Sequence, residues 1–578
     1  MDKKTVLGLV VVGVLLFGYT FYNSKQNQKR LELEKERQEQ LDKERRAEFV
    51  RDSIDRAENP EKYALQEEQV KATAEQLEEQ RLQQELNAEA HRHNFYGQTL
   101  IEAEAREEGI YTLENDVIKL YISSKGAKVE NIWLKDYKRY HKKDEEGDPL
   151  MMYKDGSSRF DMNFYIRRNA TGGEVPVNTS DYIFLTDQAE ITILNDGDQS
   201  KSLSMRLPVD DESGAYVEYL YTVYPGNYMV DFKVNFVGMQ ELTSHMTGFY
   251  FNWEAVSLQN EKGFKNENMY TTMAYRYPGD SGIEQLGASE GPSKVRKETT
   301  RVEWLSFKQQ YFSSIFVAEN SFSEAEFSYD TYKPDQGVIK NFKASLSVPY
   351  QPTQGEYKFQ FYFGPNQYSI LKEYDRKFEK VIPLGGKLIG WINTGFVIPV
   401  FNWLSKHIAN FGIIILLLTL MIKLIILPLT YKSYKSSAKM RVLKPEIDEI
   451  NERYPKQEDA MKKQQATMAL YKQFGVSPMG GCLPMLIQMP ILIAMFRFFP
   501  ASIELRGQSF LWAEDLSAYD SILDLGFKIP LYGDHISLFT LLMAVSMFFY
   551  SKINYQQTAM AGGKQMAGMK FMTLYLMP

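Results

Sequence analysis

The sequence has one cysteine, Cys482, among 578 residues. An intramolecular disulfide is therefore excluded, and any domain outside the cytoplasm must fold on its apolar core alone. Histidines are few, at positions 91, 93, 141, 245, 407 and 535, and share no ligand spacing, so no metal site or other cofactor is expected. There is no His-Glu-x-x-His pair, no P-loop and no Gly-x-Gly-x-x-Gly after a strand, so the chain is not expected to be an enzyme. Gly279-Asp280-Ser281-Gly282 has the look of a protease serine loop, but without matching histidine and aspartate contexts it reads as a turn. A net charge of -7 with no long basic stripe between aromatics argues against direct contact with nucleic acid.

What is present is sharply segregated. Charged residues make up 24% of the chain and the mean hydropathy is -0.37, averages that describe neither the apolar runs nor the charged ones. Thr5 to Tyr22 is an apolar run behind Lys3 and Lys4 with no small-residue cleavage pattern. It reads as an uncleaved anchor, residues 1–23, with its amino terminus in the cytoplasm. Residues 24–108 are rich in Glu, Gln, Lys and Arg with sparse leucines. Two readings stand for this linker, a helical or coiled-coil arm and a flexible charged tether.

Over 109–365 the period changes to two. Val230, Phe232, Val234 and Phe236 alternate with Asp231, Lys233 and Asn235, and Tyr357, Phe359, Phe361 and Phe363 form a second such series. These are half-buried antiparallel strands, with Pro225-Gly226-Asn227 as a hairpin turn, and so many of them predict a large β-sandwich. In 366–410, Leu388, Trp391, Ile392, Phe396 and Trp403 are interspersed with polar residues. That mixture fits an amphipathic helix in the interface plane or the beginning of the next span, with a kink at Pro399.

The remainder, 411–578, reads as a helical membrane core. Spans are expected at about 411–430, 482–500 and 535–551, with a further one starting at 569–578. Tyr431 to Gly475 carries ten Lys or Arg, including Lys432, Lys435, Lys439 and Arg441, whereas Ala501 to Asp534 has two against six acids. The first loop is thus cytoplasmic, and the second lies on the side of the β-domain. Met440, Leu443, Ile447, Ile450 and Tyr454, then Met461, Met468 and Tyr471, predict a helical hairpin over 431–475, either a solvated structural element or a docking surface. The run Ile536 to Tyr550 is short for a span and suggests a locally thinned bilayer.

Within the spans Lys423 stands out, because a charge in hydrocarbon costs roughly 2.5–3.5 kcal/mol on insertion scales unless it meets water or a partner. Thr419 shares its helical face and Gln488 lies between Pro484 and Pro490, so the three predict a wet cavity. The other reading is snorkelling, with the Lys423 stem reaching toward headgroups past Thr430. No Asp or Glu occurs in these three spans, which removes the partner that a proton pathway needs. An anion transporter would need related halves, and no internal repeat is seen; a carbohydrate-active β-domain would need a carboxylate and histidine in one cleft.

Ile422-Lys423, Leu427-Pro428-Leu429-Thr430, Ala438-Lys439-Met440-Arg441, Leu470-Tyr471-Lys472, Pro478-Met479-Gly480-Gly481-Cys482-Leu483-Pro484 and Gln488-Met489-Pro490 together resemble the YidC family of membrane protein insertases. The resemblance covers roughly Phe361 to Pro578, with a fainter likeness at Asn115-Asp116-Val117 and Gly126. It implies an α+β membrane protein of the bacterial inner membrane: an amino-terminal anchor, a periplasmic β-super-sandwich similar to the galactose mutarotases, and an insertase core. The core would hold a hydrophilic groove open to cytoplasm and lipid. Substrate contacts would map onto Thr419, Leu486, Met489 and Leu492. Many bacterial members carry arginine where Lys423 stands, so the charge is kept but the bidentate fork is lost. Implied partners are nascent membrane proteins, the ribosome, the Sec translocon and the bilayer.

Overall fold

The computed structural model describes Lys43 and residues 95–559, apart from 142–146, 168–172, 196, 288–294, 456–458, 476–482 and 530–532. The expected anchor at 1–23, most of the charged linker, Cys482 and the span expected from 569 lie outside the described residues. The described residues from Tyr96 onward belong to one compact unit.

That unit begins with helix α1, Gln98–Ala105, which buries Leu100 and Ala103 completely. Within 24–108 this stretch is helical, as one of the two linker readings has it, but it is docked: Leu100 and Ala103 are three apart, on one helical face, and that face joins the core.

Strands follow from Ile110 to Pro365 in three sheets of five, eight and six strands. The eight- and six-stranded sheets face one another. Phe232, Phe316 and Phe361 of the former meet Phe160 and Phe251 of the latter with ring centroids 5.4–6.2 Å apart, the interdigitated core of a sandwich. The alternation in sequence is kept: Val230, Phe232, Val234 and Phe236 are buried while Asp231, Lys233 and Asn235 are not. Ala215–Val223 and Met229–Val237 pair antiparallel across the expected turn, where Gly226 takes a φ of 62° that a glycine adopts without strain. The Gly279-Asp280-Ser281-Gly282 string is a turn in which the Gly282 N–H donates to Asp280 Oδ1.

A short helix α2, Phe264–Tyr270, interrupts the strands. After Pro365, helix α3, Tyr368–Glu373, begins a linker laid on the outer face of the eight-stranded sheet. Tyr374 donates to Asn227 Oδ1 (2.7 Å), the Trp304 indole donates to the Arg376 carbonyl (3.0 Å), and Phe378 packs on Trp304 and Tyr362. Helices α4, Lys387–Ile392, and α5, Ile398–Ser405, are joined by a π-turn at Asn393–Val397. Pro399 stands in the first turn of α5, directly after the π-turn, where its missing N–H leaves the helical run one backbone hydrogen bond short. The irregularity precedes Pro399, and the buried Asn393 side chain there donates to the Leu384 carbonyl (2.9 Å). The run Lys387–Ser405 is long and apolar enough to cross a membrane, and so is Phe411–Ser436.

Helix α6, Phe411–Val442, continues without a break into the basic loop. It is followed by α7, Lys444–Arg453, α8, Ala460–Gln473, α9, Leu483–Ala501, and α10, Leu538–Ala559. The hairpin differs from its expected form: the first turn comes at Leu443, and Leu443 and Ile447 bury against Leu470 and Tyr471, leaving Met461 and Met468 exposed. Tyr471, Leu443 and Ile447 are in the contact as their spacing predicts, and Leu470 takes the place expected of Met468. Helix α10 has 22 residues, but its apolar part is Leu538–Ile553, about 24 Å at 1.5 Å per residue, short for a span as the sequence suggests.

Candidate functional site

Helix α6 buries one i, i+4 stripe, Ile414, Leu418, Ile422 and Ile426, against α5 and α9. At 100° per residue, Thr419 and Lys423 fall on the flank away from that stripe, and both side chains are exposed. The pair shares a face, as its spacing predicts, but that face meets no packed neighbour among the described residues. Lys423 makes no hydrogen bond or ion pair among the described residues. The next cation toward the basic loop is Lys432, nine residues or about 13 Å further along the helix axis. Near that end Pro428 lies within the helix, and the Thr430 hydroxyl donates to the Leu427 carbonyl (2.9 Å).

Helix α9 is two-sided in the same manner. Ala494 and Phe498 are buried, with Ile491, Met495 and Phe499 partly so, and Phe401 of α5 packs edge-on to Phe498 at 5.2 Å. Leu486, Met489, Leu492, Ile493 and Phe496 form the exposed side, at 60, 41, 55, 40 and 76% exposure. Gln488 is half-buried at the edge between the two faces. The structure thus brings Leu486, Met489 and Leu492 onto one apolar surface of α9, and α9 packs on α6; Gln488 and Lys423 are not bonded to each other. Lys432, Lys435 and Lys439 are exposed on the far end of α6, while the Arg441 side chain lies outside the described residues. No cluster of three or more His, Cys, Asp or Glu converges among the described residues.

Two groups of functional interest escaped sequence reasoning. Lys308 and Lys340 are buried inside the β-domain. The Lys340 ammonium donates to the Asn268 and Thr271 carbonyls (2.8 Å each) and to Asn268 Oδ1 (2.5 Å), and Lys308 donates to the Tyr270 carbonyl (2.6 Å). Together they neutralise the carbonyl end of α2. Burial, with the Lys340 charge adding to it, pulls the Lys308 amine down to about 7. The signal was present: the inward series Phe342, Ala344, Leu346, Val348 runs back by twos to Lys340. The second group is Arg506 of the acidic loop, whose guanidinium pairs at 2.8 Å with Glu261, a residue 245 positions away in the β-domain. No local pattern predicts such a partner.

Known proteins match both the β-domain and the helical core. The family described as 60Kd inner membrane protein matches residues 403–578, and the YidC periplasmic domain matches 110–398. A protein named Membrane protein insertase YidC from Parabacteroides distasonis is 38% identical over 593 residues, covering all of this chain and 87% of that one. Its namesake from Bacteroides fragilis is 39% identical over 586 residues, covering all of this chain and 86% of the relative. Among solved structures, an aldose 1-epimerase from Escherichia coli K12 aligns with 45% of this chain and 100% of its own length at 10% identity and a TM-score of 0.28, a likeness too slight to bear on function. With such relatives along its whole length, the chain belongs to the YidC family of membrane protein insertases.

Proposed function

We propose that this chain inserts and folds integral membrane proteins by offering them a groove beside α6 and α9. The observation that carries the reading is an exposed cation, Lys423, without a partner among the described residues, in the apolar stretch Phe411–Leu429 of α6 and beside the exposed apolar face of α9. A client's hydrophobic segment slides along Leu486, Met489 and Leu492, while its short polar or acidic tail is held by Lys423, Thr419 and Gln488. No bond is made or broken. The barrier to carrying a polar tail across falls because water and one positive charge replace lipid, and burial of the client helix in hydrocarbon drives the step.

The rest of the arrangement follows from charge and exposure. The chain is multi-pass in the bacterial inner membrane, with its amino terminus and the α7–α8 hairpin in the cytoplasm and the β-domain in the periplasm. Lys432, Lys435, Lys439 and Arg441 form a cationic collar where ribosome, nascent chain or anionic headgroups dock. Exposed Trp391 and Trp403 suit α4–α5 to the outer interface. The Sec translocon is a further partner on this reading. The test is photocrosslinking from positions 486, 489 and 492 to a stalled nascent membrane protein in native membranes. Adducts at these positions, and none at buried Leu418, are expected; equal labelling at both sets contradicts the groove.

A further inference from the structure

The β-domain touches the core at a second place besides its covalent linker. Arg506 lies just beyond the outer end of α9, and its pairing with Glu261 leaves both side chains 9% exposed. No other ion pair among the described residues is so buried on both sides. The guanidinium also lies 5.3 Å from the Phe312 ring centroid, a cation–π contact. Around the pair the two regions bond repeatedly. Gln310 donates to the Pro500 carbonyl (3.2 Å), in the last turn of α9, where helix carbonyls lack intrahelical partners. Lys262 donates to the Tyr519 carbonyl (3.1 Å) and sits 4.2 Å from that ring's centroid. The loop offering Glu261 is itself shaped from inside the β-domain, because the Glu267 carboxylate accepts from the Asn260 and Glu261 N–H groups at 2.9 and 3.1 Å.

We propose that the outer loop between α9 and α10 is the docking surface for the chain's own β-domain, and that the Glu261–Arg506 pair is the lock that holds the outer end of α9. Glu261 and Arg506 are then positioning residues for the apolar face that α9 presents, a role that rests on the groove reading above. Such a pair is expensive to form, since both charges leave water and Arg506 Nη2 stays unpaired, yet removing either partner strands the other charge in a buried place. The cost is recovered as geometry: with linker and lock both engaged, the β-domain cannot pivot, and α9 cannot shift outward without breaking the interface.

The experiment uses the full chain in lipid nanodiscs, with Arg506→Ala, Glu261→Ala, the double variant and Arg506→Lys, read by hydrogen exchange and by crosslinking from position 489 to a stalled client. Each alanine variant should raise exchange by about tenfold or more both at 496–506 and at 259–267, and the double variant, which strands no charge, should exceed neither single. Arg506→Lys, which keeps the charge, should recover most of the protection, and exchange at 229–237 should stay unchanged as a control for folding. Exchange confined to the mutated side, or alanine effects that simply add, would overturn the lock. Absence of any client adduct at 489 in the unaltered chain would overturn the groove reading instead and leave the exchange result to judge the lock.

Discussion

The β-domain and the helical core treat the same residue types in opposite ways. Phe232, Phe251 and Phe316 are 0% exposed in the sandwich, whereas Leu416, Leu424 and Phe496 stand 60, 56 and 76% exposed on α6 and α9. Charges are reversed as well: Lys308 and Lys340 are buried among strands, and Lys423 is exposed on a helix. The difference teaches that the two regions are built for different solvents. In water, apolar area is hidden and a rare interior cation is tied to carbonyls; against lipid, apolar area faces outward.

Substitutions can break or sharpen that contrast. The largest effect is expected in the sandwich, where Phe316→Ala removes a ring packed against Phe251 and Phe361 and should cost about 3–5 kcal/mol of β-domain stability, measured by hydrogen exchange in the full chain. Next comes topology: Lys432→Glu, Lys435→Glu and Lys439→Glu together should weaken or invert the orientation of α6, seen by cysteine labelling from each side, because loop charge near a span sets its direction. Unchanged labelling would mean that packing against α5 and α9 holds the helix. A smaller effect is pH-dependent. The depressed Lys308 amine contributes stability that is present above its unfolded value of about 10.4 and is lost as pH falls through about 7. Protection of the β-domain should therefore rise from pH 6 to 9, and Lys308→Met should flatten that rise. The smallest effect is expected at Leu424→Ala, which exchanges one lipid-facing apolar group for another and should leave stability within about 0.5 kcal/mol. A loss like that of Phe316→Ala would show that α6 packs where it is taken to face lipid.

Much of this was legible in the sequence, for reasons that are physical. Alternation at Val230–Phe236 and Tyr357–Phe363 predicts strands because the side-chain period of a strand is two, and long apolar runs predict α6 and α9 because backbone polar groups must be satisfied within the segment. What failed was local in origin. The α7–α8 contact has Leu443, Ile447 and Tyr471 as their spacing predicts, but Leu470 rather than Met468 completes it, and the docked helix α1 is hidden in a charged stretch because Leu100 and Ala103 alone carry little periodic signal. The lock could not be read at all: Glu261 and Arg506 each sit in irregular loops, where charge says nothing about a partner 245 residues away.

The central claim is that Lys423 supplies a positive charge to a wet groove rather than snorkelling to headgroups. It is tested most directly by insertion of two matched clients, one with an acidic and one with a neutral translocated tail, in cells depleted of the native protein and carrying Lys423→Arg, Lys423→Ala or Lys423→Glu. Lys423→Arg should support both clients, Lys423→Ala should lose mainly the acidic-tailed one, and Lys423→Glu should be worst because like charges repel. Equal insertion of both clients by Lys423→Ala would contradict the account and return the residue to a snorkelling cation whose removal the bilayer tolerates.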